Sequence, residues 1–303
     1  MRRLSLIAAL LLLSPASCRI QDQPARRTVR DGLQRDVSLP PAPRRIVALA
    51  PSVTESVLAL GFGDRLVGVS DFCRLPEESG PVPRVGGLLN PDLETIRSLH
   101  PDLLVGTTSG NDPTLAGQAG ALGIPLYILD APDIEGVLVG LEDLADALGD
   151  RPHGRQVAQG LRGRLNAVTR RVQGRPRPRV LFVIWGDPLV VPGARAFLTD
   201  AIALAGGSSV TADAPAAHPT FSLESAIARA PEVIVMTRDN AALAERLRAD
   251  PAWAGVPAVR DGRVETIEER AVQPGPGVVA GIEEMARLFH PEAFGAQDGS
   301  RNN

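Results

Sequence analysis

Histidine, cysteine and carboxylate side chains are the first places to look for chemistry in this 303-residue chain, which has four His, two Cys and 35 Asp plus Glu. His100, His153, His218 and His290 are scattered singly and none stands at ligand spacing from another, so direct zinc or manganese binding is disfavoured. The His218 imidazole, in "AAHPTF", is the one side chain with possible metal chemistry, or it is simply a polar loop residue. Cys73 has no nearby partner and reads as a small apolar residue rather than a nucleophile. Every one of the 32 basic residues is arginine, which removes Walker-type phosphate loops and Schiff-base chemistry. The glycine-rich stretches "GDPLVVPG" and "VGG" lack the spacing of a dinucleotide or phosphate loop, and no serine occupies a G-x-S-x-G elbow. An exported α/β hydrolase is therefore only a distant alternative, and no catalytic residue and no resident cofactor or metal is expected.

A repeated phrase is more informative. "NPDLETIRSLHPDLLVG" begins at Asn90 and "TFSLESAIARAPEVIVM" at Thr220. Aligned at Leu93 and Leu223, both continue with Glu, then a proline eight residues after the leucine, then an acid and an aliphatic run. Each parses as a short helix stopped by proline before a strand. In the first, Pro91 suits the opening turn and Leu93, Ile96 and Leu99 share a face; in the second, Ser222 is the cap and Ala226 and Ile227 point inward. Glu94 and Glu224 are the retained acids, and an acid early in a helix complements its dipole.

The elements around these phrases alternate. "RRIVALA" is a buried strand entering "PSVTESVLALG", where Ser52 or Thr54 caps a helix that Gly61 ends, and "RLVGVS" follows as another strand. Strand, helix and strand in repetition predict an α/β layer fold. Between the two phrases, Val157, Leu161, Leu165, Val168 and Val172 recur every three or four residues, predicting one long helix from Arg151 to about Gln173, ended by Gly174 and Pro176. The expected architecture is two α/β lobes joined by a single rigid helix.

The start of the chain is different. "MRRLSLIAALLLLSPASC" is an export signal, too short in its apolar run to span a bilayer. Cys18 is either the lipidated first residue of the mature protein, or cleavage is ordinary and follows Ala16, with Ser14 and Ala16 at the small positions. Residues 1–45 hold nine Arg and three Asp, so the remainder is acidic, which argues against nucleic acid as a partner. The expected divisions are an export signal over 1–18, a tether over 19–43, an N-terminal lobe over 44–150, the interlobe helix over 151–175, a C-terminal lobe over 176–292 and a tail over 293–303.

"RIVALAPSVTESVLALGFGDRLVGVSDFC", "VGGLLNPDLETIRSLHPDLLVG", "SLESAIARAPEVIV" and "PGPGVVAGIEEMARLFHPE" resemble the periplasmic substrate-binding proteins of cobalamin, iron-siderophore and haem importers, nearest the cobalamin branch. The resemblance spans about Arg44 to Glu292. It implies a carrier, monomeric when free, that delivers a small metal chelate to an ABC permease dimer in the inner membrane. It implies that Glu94 and Glu224 dock on the two permease subunits. By position it implies a cleft lined by Pro51, Ser52, Phe72, Gly87, Trp185, His218, Pro219, Phe221 and Arg270. Gly87 and His218 stand where the best-known cobalamin binders carry Trp, and aromatic residues are only 3% of the chain, so a corrinoid, a haem or a ferric chelate all remain open.

Overall fold

The computed structural model describes residues 25–295. An antiparallel hairpin, β1 (Arg27–Arg30) and β2 (Asp36–Leu39), precedes the N-terminal lobe. That lobe runs β3 (Ile46–Ala48), α1 (Pro51–Ala59), β4 (Leu66–Val69), α2 (Leu93–Ser98), β5 (Leu103–Thr107), α3 (Leu115–Ala121), β6 (Leu126–Leu129) and α4 (Ile134–Ala147). The connector α5 spans Arg151–Val172. The C-terminal lobe runs β7 (Arg179–Val183), β8 (Trp185–Gly186), β9 (Leu189–Val190), α6 (Phe197–Leu204), β10 (Ser208–Ser209), α7 (Leu223–Ala228), β11 (Val233–Thr237), α8 (Ala241–Ala249), α9 (Pro257–Arg260), β12 (Val264–Ile267) and α10 (Val278–Phe289).

Each lobe is built on one four-stranded parallel sheet, in the orders β4-β3-β5-β6 and β10-β7-β11-β12. In both, the first strand lies between the second and the third, so one connectivity occurs twice. The inner strands β3, β5 and β11 are buried along their whole length and β7 from its second residue onward, as expected of aliphatic runs in parallel sheets covered by helices on both faces. The repeated phrases become α2 with β5 and α7 with β11. Both helices even end alike: His100 and Ala230, each the residue before a proline, take positive φ values of 47° and 43°. A following proline disfavours the right-handed helical region, and the left-handed turn is what redirects the chain into the strand.

Capping differs from the sequence reading in places. Asp92, not Pro91, begins α2, its carboxylate accepting from Glu94 and Thr95 N–H, while Ser222 caps α7 as expected. Neither Ser52 nor Thr54 caps α1: Pro51 occupies its first turn and both side chains lie buried inside the helix, which does end at Gly61. The expected tether is ordered from Ala25 onward. Val29, Val37 and Leu39 pack into the N-terminal core, and buried Asp31 accepts from the Arg35 guanidinium and the Ile128 N–H. The arginine-rich composition of 19–43 masks this two-residue alternation. The tail expectation is also corrected at its start, since Phe294 packs on the C-terminal core with Arg171 and Arg287 over its ring.

The helix α5 covers 22 residues, with the Asp150 carboxylate accepting from the His153 N–H at its start. Leu161 packs against the cores of both lobes, so a single side chain belongs to each. The helix lies along α4, and the approach is close because Gly154 and Ala158 face it: a Cβ on Gly154 would sit 2.2 Å from Ala145 Cβ. Gly154→Ala should therefore push α4 and α5 apart and lower unfolding free energy by about 1 to 3 kcal/mol through overpacking. Urea denaturation of the variant against the parent measures this, and a stability gain from the better helix former would show the contact to be slack.

Candidate ligand-binding cleft

Parallel strands of one lobe all end on the same side, and their C-terminal loops are where α/β sheets bind ligands. Here the two sets of loops face each other across a cleft of 740 Å³. The N-terminal wall comprises Ala50–Ser52 after β3, Phe72 and Arg74 after β4, Thr107–Gly110 after β5 and Asp130–Pro132 after β6. The C-terminal wall comprises Arg195–Phe197, Ala217 with His218, Asp239 after β11, and Glu269 with Val272–Pro274 ahead of α10. A second cavity of 510 Å³ adjoins it, sharing Pro51, Phe72, Arg74, Glu269 and Gln273, and includes Arg270.

Buried polar side chains hold these loops. Asn111 accepts from the Thr107 N–H (2.9 Å) and donates to Leu49 O (3.1 Å) and Leu88 O (2.9 Å), tying three wall segments together. Arg84 donates to Ser70 O and Cys73 O, fixing the turn that carries Phe72. Cys73 is buried there, its sulfur 3.0 Å from the Thr54 hydroxyl and 3.1 Å from that of Ser70. The Thr108 hydroxyl donates to Asp130 at 2.6 Å. Across the mouth, Arg74 and Glu269 pair at 3.8 Å, but the arginine is 82% exposed and such a pair contributes at most about 1 kcal/mol.

Helices α2 and α7 run back antiparallel to the strands that follow them, so both begin on the cleft side. Glu94 and Glu224 are exposed there, in the first turn of each, and neither pairs with a base among the described residues. The backbone N–H at the helix start and the Ser222 hydroxyl hold the Glu224 carboxyl below its ordinary range.

The periplasmic binding protein family matches residues 46–271. The chain belongs to this family. Its members are ligand carriers rather than enzymes, and they work in the periplasm with ABC permeases. It is 26% identical over 250 residues to the vitamin B12-binding protein of Vibrio parahaemolyticus, covering 81% of this chain and 89% of that one. It is 31% identical over 197 residues to the vitamin B12-binding protein of Yersinia pestis (strain Pestoides F), covering 65% and 70%. Among solved structures it resembles the apo periplasmic haem-binding protein RhuT of Roseiflexus sp. RS-1, with 27% identity, a TM-score of 0.75, and 82% and 99% of the two chains covered. No described helix is long and apolar enough to cross a membrane.

Of the residues expected to line a periplasmic binding protein's cleft, Pro51, Ser52, Phe72 and His218 do so. Gly87 lies behind Phe72, with the ring 3.8 Å from where its Cβ would be, and Arg270 lines the adjoining cavity. Three expectations need correction. Phe221 is part of the C-terminal core, with Arg229 over its ring at 5.0 Å, because the Phe221 N–H pairs with Leu189 O and directs the side chain inward. Pro219 is drawn to the neighbouring strand, its carbonyl accepting from Val191, and is not in the cavity wall. Trp185 also lies outside that wall; it is exposed on the β8–β9 ribbon, its indole N–H donating to Asp187 O at 2.9 Å. Cys18 falls outside the described residues. Sequence reasoning missed Arg74, Arg195, Phe197, Asp239, Glu269 and Asn111; only Asn111, in "TTSGND" straight after a strand, carried a local signal, that of a turn-forming side chain.

Replacing Asn111 by Ala would orphan backbone groups of three loops together. Unfolding free energy should fall by about 2 kcal/mol or more, and proteolysis at Thr107–Gly110 should accelerate. An unchanged denaturation midpoint would mean that the loops hold without Asn111.

Proposed function

We propose that this protein is the substrate-binding component of an ABC importer, capturing a corrinoid and delivering it to the inner-membrane permease. The observation that carries the reading is the interlobe cleft itself, 740 Å³ with an adjoining 510 Å³, walled by loops of both lobes. The vitamin B12-binding relatives support the corrinoid. So does the charge of the wall: Arg74 and Arg195 stand against Asp130, Asp239 and Glu269, an unsuitable lining for a ligand with several negative charges. The chain's one tyrosine, Tyr127, is buried at 1% exposure in the N-terminal core, where burial pushes its phenol up, so no phenolate reaches the cleft. A corrinoid brings its own cobalt and uncharged amide periphery and requires neither an anion site nor a phenolate.

Phe72, exposed by 63% in the turn after β4, is the surface on which the macrocycle lies. Aromatic faces give apolar area at small entropic cost. Haem is the second reading, favoured by the exposed His218 imidazole in the cleft and by the RhuT likeness.

Docking rests on Glu94 and Glu224, the matched exposed acids at the cleft end of both lobes. Two equivalent lobes presenting one acid each fit a permease with two equivalent basic pockets. A lipid on Cys18 anchors the carrier to the membrane, and Cys18→Ser would release it into the soluble periplasmic fraction.

Calorimetric titration with cyanocobalamin, cobinamide, haemin and a ferric siderophore tests the ligand, with a corrinoid expected to bind and to stay coloured with the protein through desalting. Retention of haemin alone would transfer the assignment to haem. Phe72→Ala should weaken corrinoid binding by about 1 to 3 kcal/mol; equal affinity would remove that ring from the site.

Glu94→Ala with Glu224→Ala should keep ligand affinity and abolish uptake into proteoliposomes bearing the cognate permease. Arg at either position should be worse than Ala, since rim charges of like sign repel. Normal uptake by the double variant would return both acids to a helix-dipole role.

A further inference from the structure

Helix α10 starts without the usual devices: Gly277 at its N-cap makes no side-chain cap, and no acid stands in its first turn. The Val278 and Val279 N–H groups bond back to Gly275 O and Pro276 O, but the dipole of a helix start still favours a nearby negative charge. The missing acid comes from the other lobe. Glu55 of α1 reaches this helix start so closely that a Cβ on Gly277 would stand 2.3 Å from its Oε1 and one on Gly275 would stand 2.9 Å from its Oε2. The same Gly275 Cβ would be 3.3 Å from Ser52 Cα, so the backbones of the two lobes also touch there. Burial raises the Glu55 carboxyl, offset in part by the Gly277 N–H and by Arg270. Its Oε2 is shut off from solvent and lacks a hydrogen-bond partner among the described residues. Glu55 is half-buried at the wall of the 510 Å³ cavity, and a carboxylate oxygen shut away without a partner is costly.

Its position in the cleft explains it. Glu55 lies one turn past Pro51 and Ser52 in one cleft wall, and Gly275–Gly277 directly follow Val272–Pro274 in the other. We propose that Glu55 is a positioning residue: by capping α10 from across the cleft it sets the spacing of the two walls that receive the ligand. The glycines of "PGPG" are there to admit the carboxylate. Only the affinity measurement below rests on the ligand reading; the exchange measurements do not.

A double-mutant cycle in the full chain tests this. Gly277 has helical φ and ψ of −64° and −20°, so alanine suits its backbone and Gly277→Ala adds little besides a methyl group against Glu55. In the ligand-free protein, Gly277→Ala should raise hydrogen exchange of α1 amides, in the opposite lobe, by about tenfold, and by less than about twofold when Glu55→Ala has made room. Cyanocobalamin affinity should fall by about tenfold in Gly277→Ala and recover in the pair, with Glu55→Gln closer to wild type than Glu55→Ala because it keeps an acceptor. Equal effects of Gly277→Ala with and without Glu55 would overturn the proposal. So would Glu55→Ala that loosens α10 but binds cyanocobalamin as the parent does. Should Gly277→Ala not fold, Glu55→Ala and Glu55→Gln supply both readouts. Should wild type bind neither cyanocobalamin nor haemin, the ligand reading fails and the exchange cycle alone decides the contact.

Discussion

The close packing of α4 on α5 is the constraint from which the rest follows. Two parallel sheets are each complete as a folding unit, and nothing within either dictates where the other must stand. The 22-residue α5 resolves this because its side chains belong to both units, with Leu161 in each core and Val168 and Val172 against the C-terminal sheet. Residues Ile134, Val137 and Leu138 of α4 join that same C-terminal core, so the connector is braced along its length by a second helix. A helix so supported transmits position and resists bending, and it limits how far the two lobes can swing apart.

Within that frame, specificity is assigned to loops and rigidity to what lies beneath them. The inner strands end in buried residues, and the exposed loops beyond them carry Phe72, His218 or Asp239. Loops of this kind would wander without anchors. Asn111 and Arg84 hold the N-terminal wall by bonding to main-chain carbonyls, interactions that tolerate change in the exposed side chains nearby.

How much of this could be read from the sequence depends on how far apart the interacting residues lie. The lobes, the long helix and the repeat were legible because each is a local pattern: aliphatic runs, apolar spacing of three or four, a proline eight residues after a leucine. The cap by Asp92 is local as well, yet Pro91 beside it suggested a start one residue too early. The hairpin over Arg27–Leu39 escaped because its alternating valines sit among arginines, and its burial comes from contacts with Ile128 and Asp146, about a hundred residues away. Phe221 and Trp185 show the limit most directly. Both are aromatic residues next to aliphatic runs, and only the pairing of Phe221 with Leu189 and of Trp185 with Val190 sets one against the core and the other in solvent.

The antiparallel course of α2 and α7 has a consequence for transport. Because both helices begin where the strands end, the acids at their tips and the mouth of the cleft occupy one face of the molecule. Whatever surface grips those tips is already looking into the opening. A carrier that docks through those tips has a front and a back, and its cargo would leave by the door through which it entered.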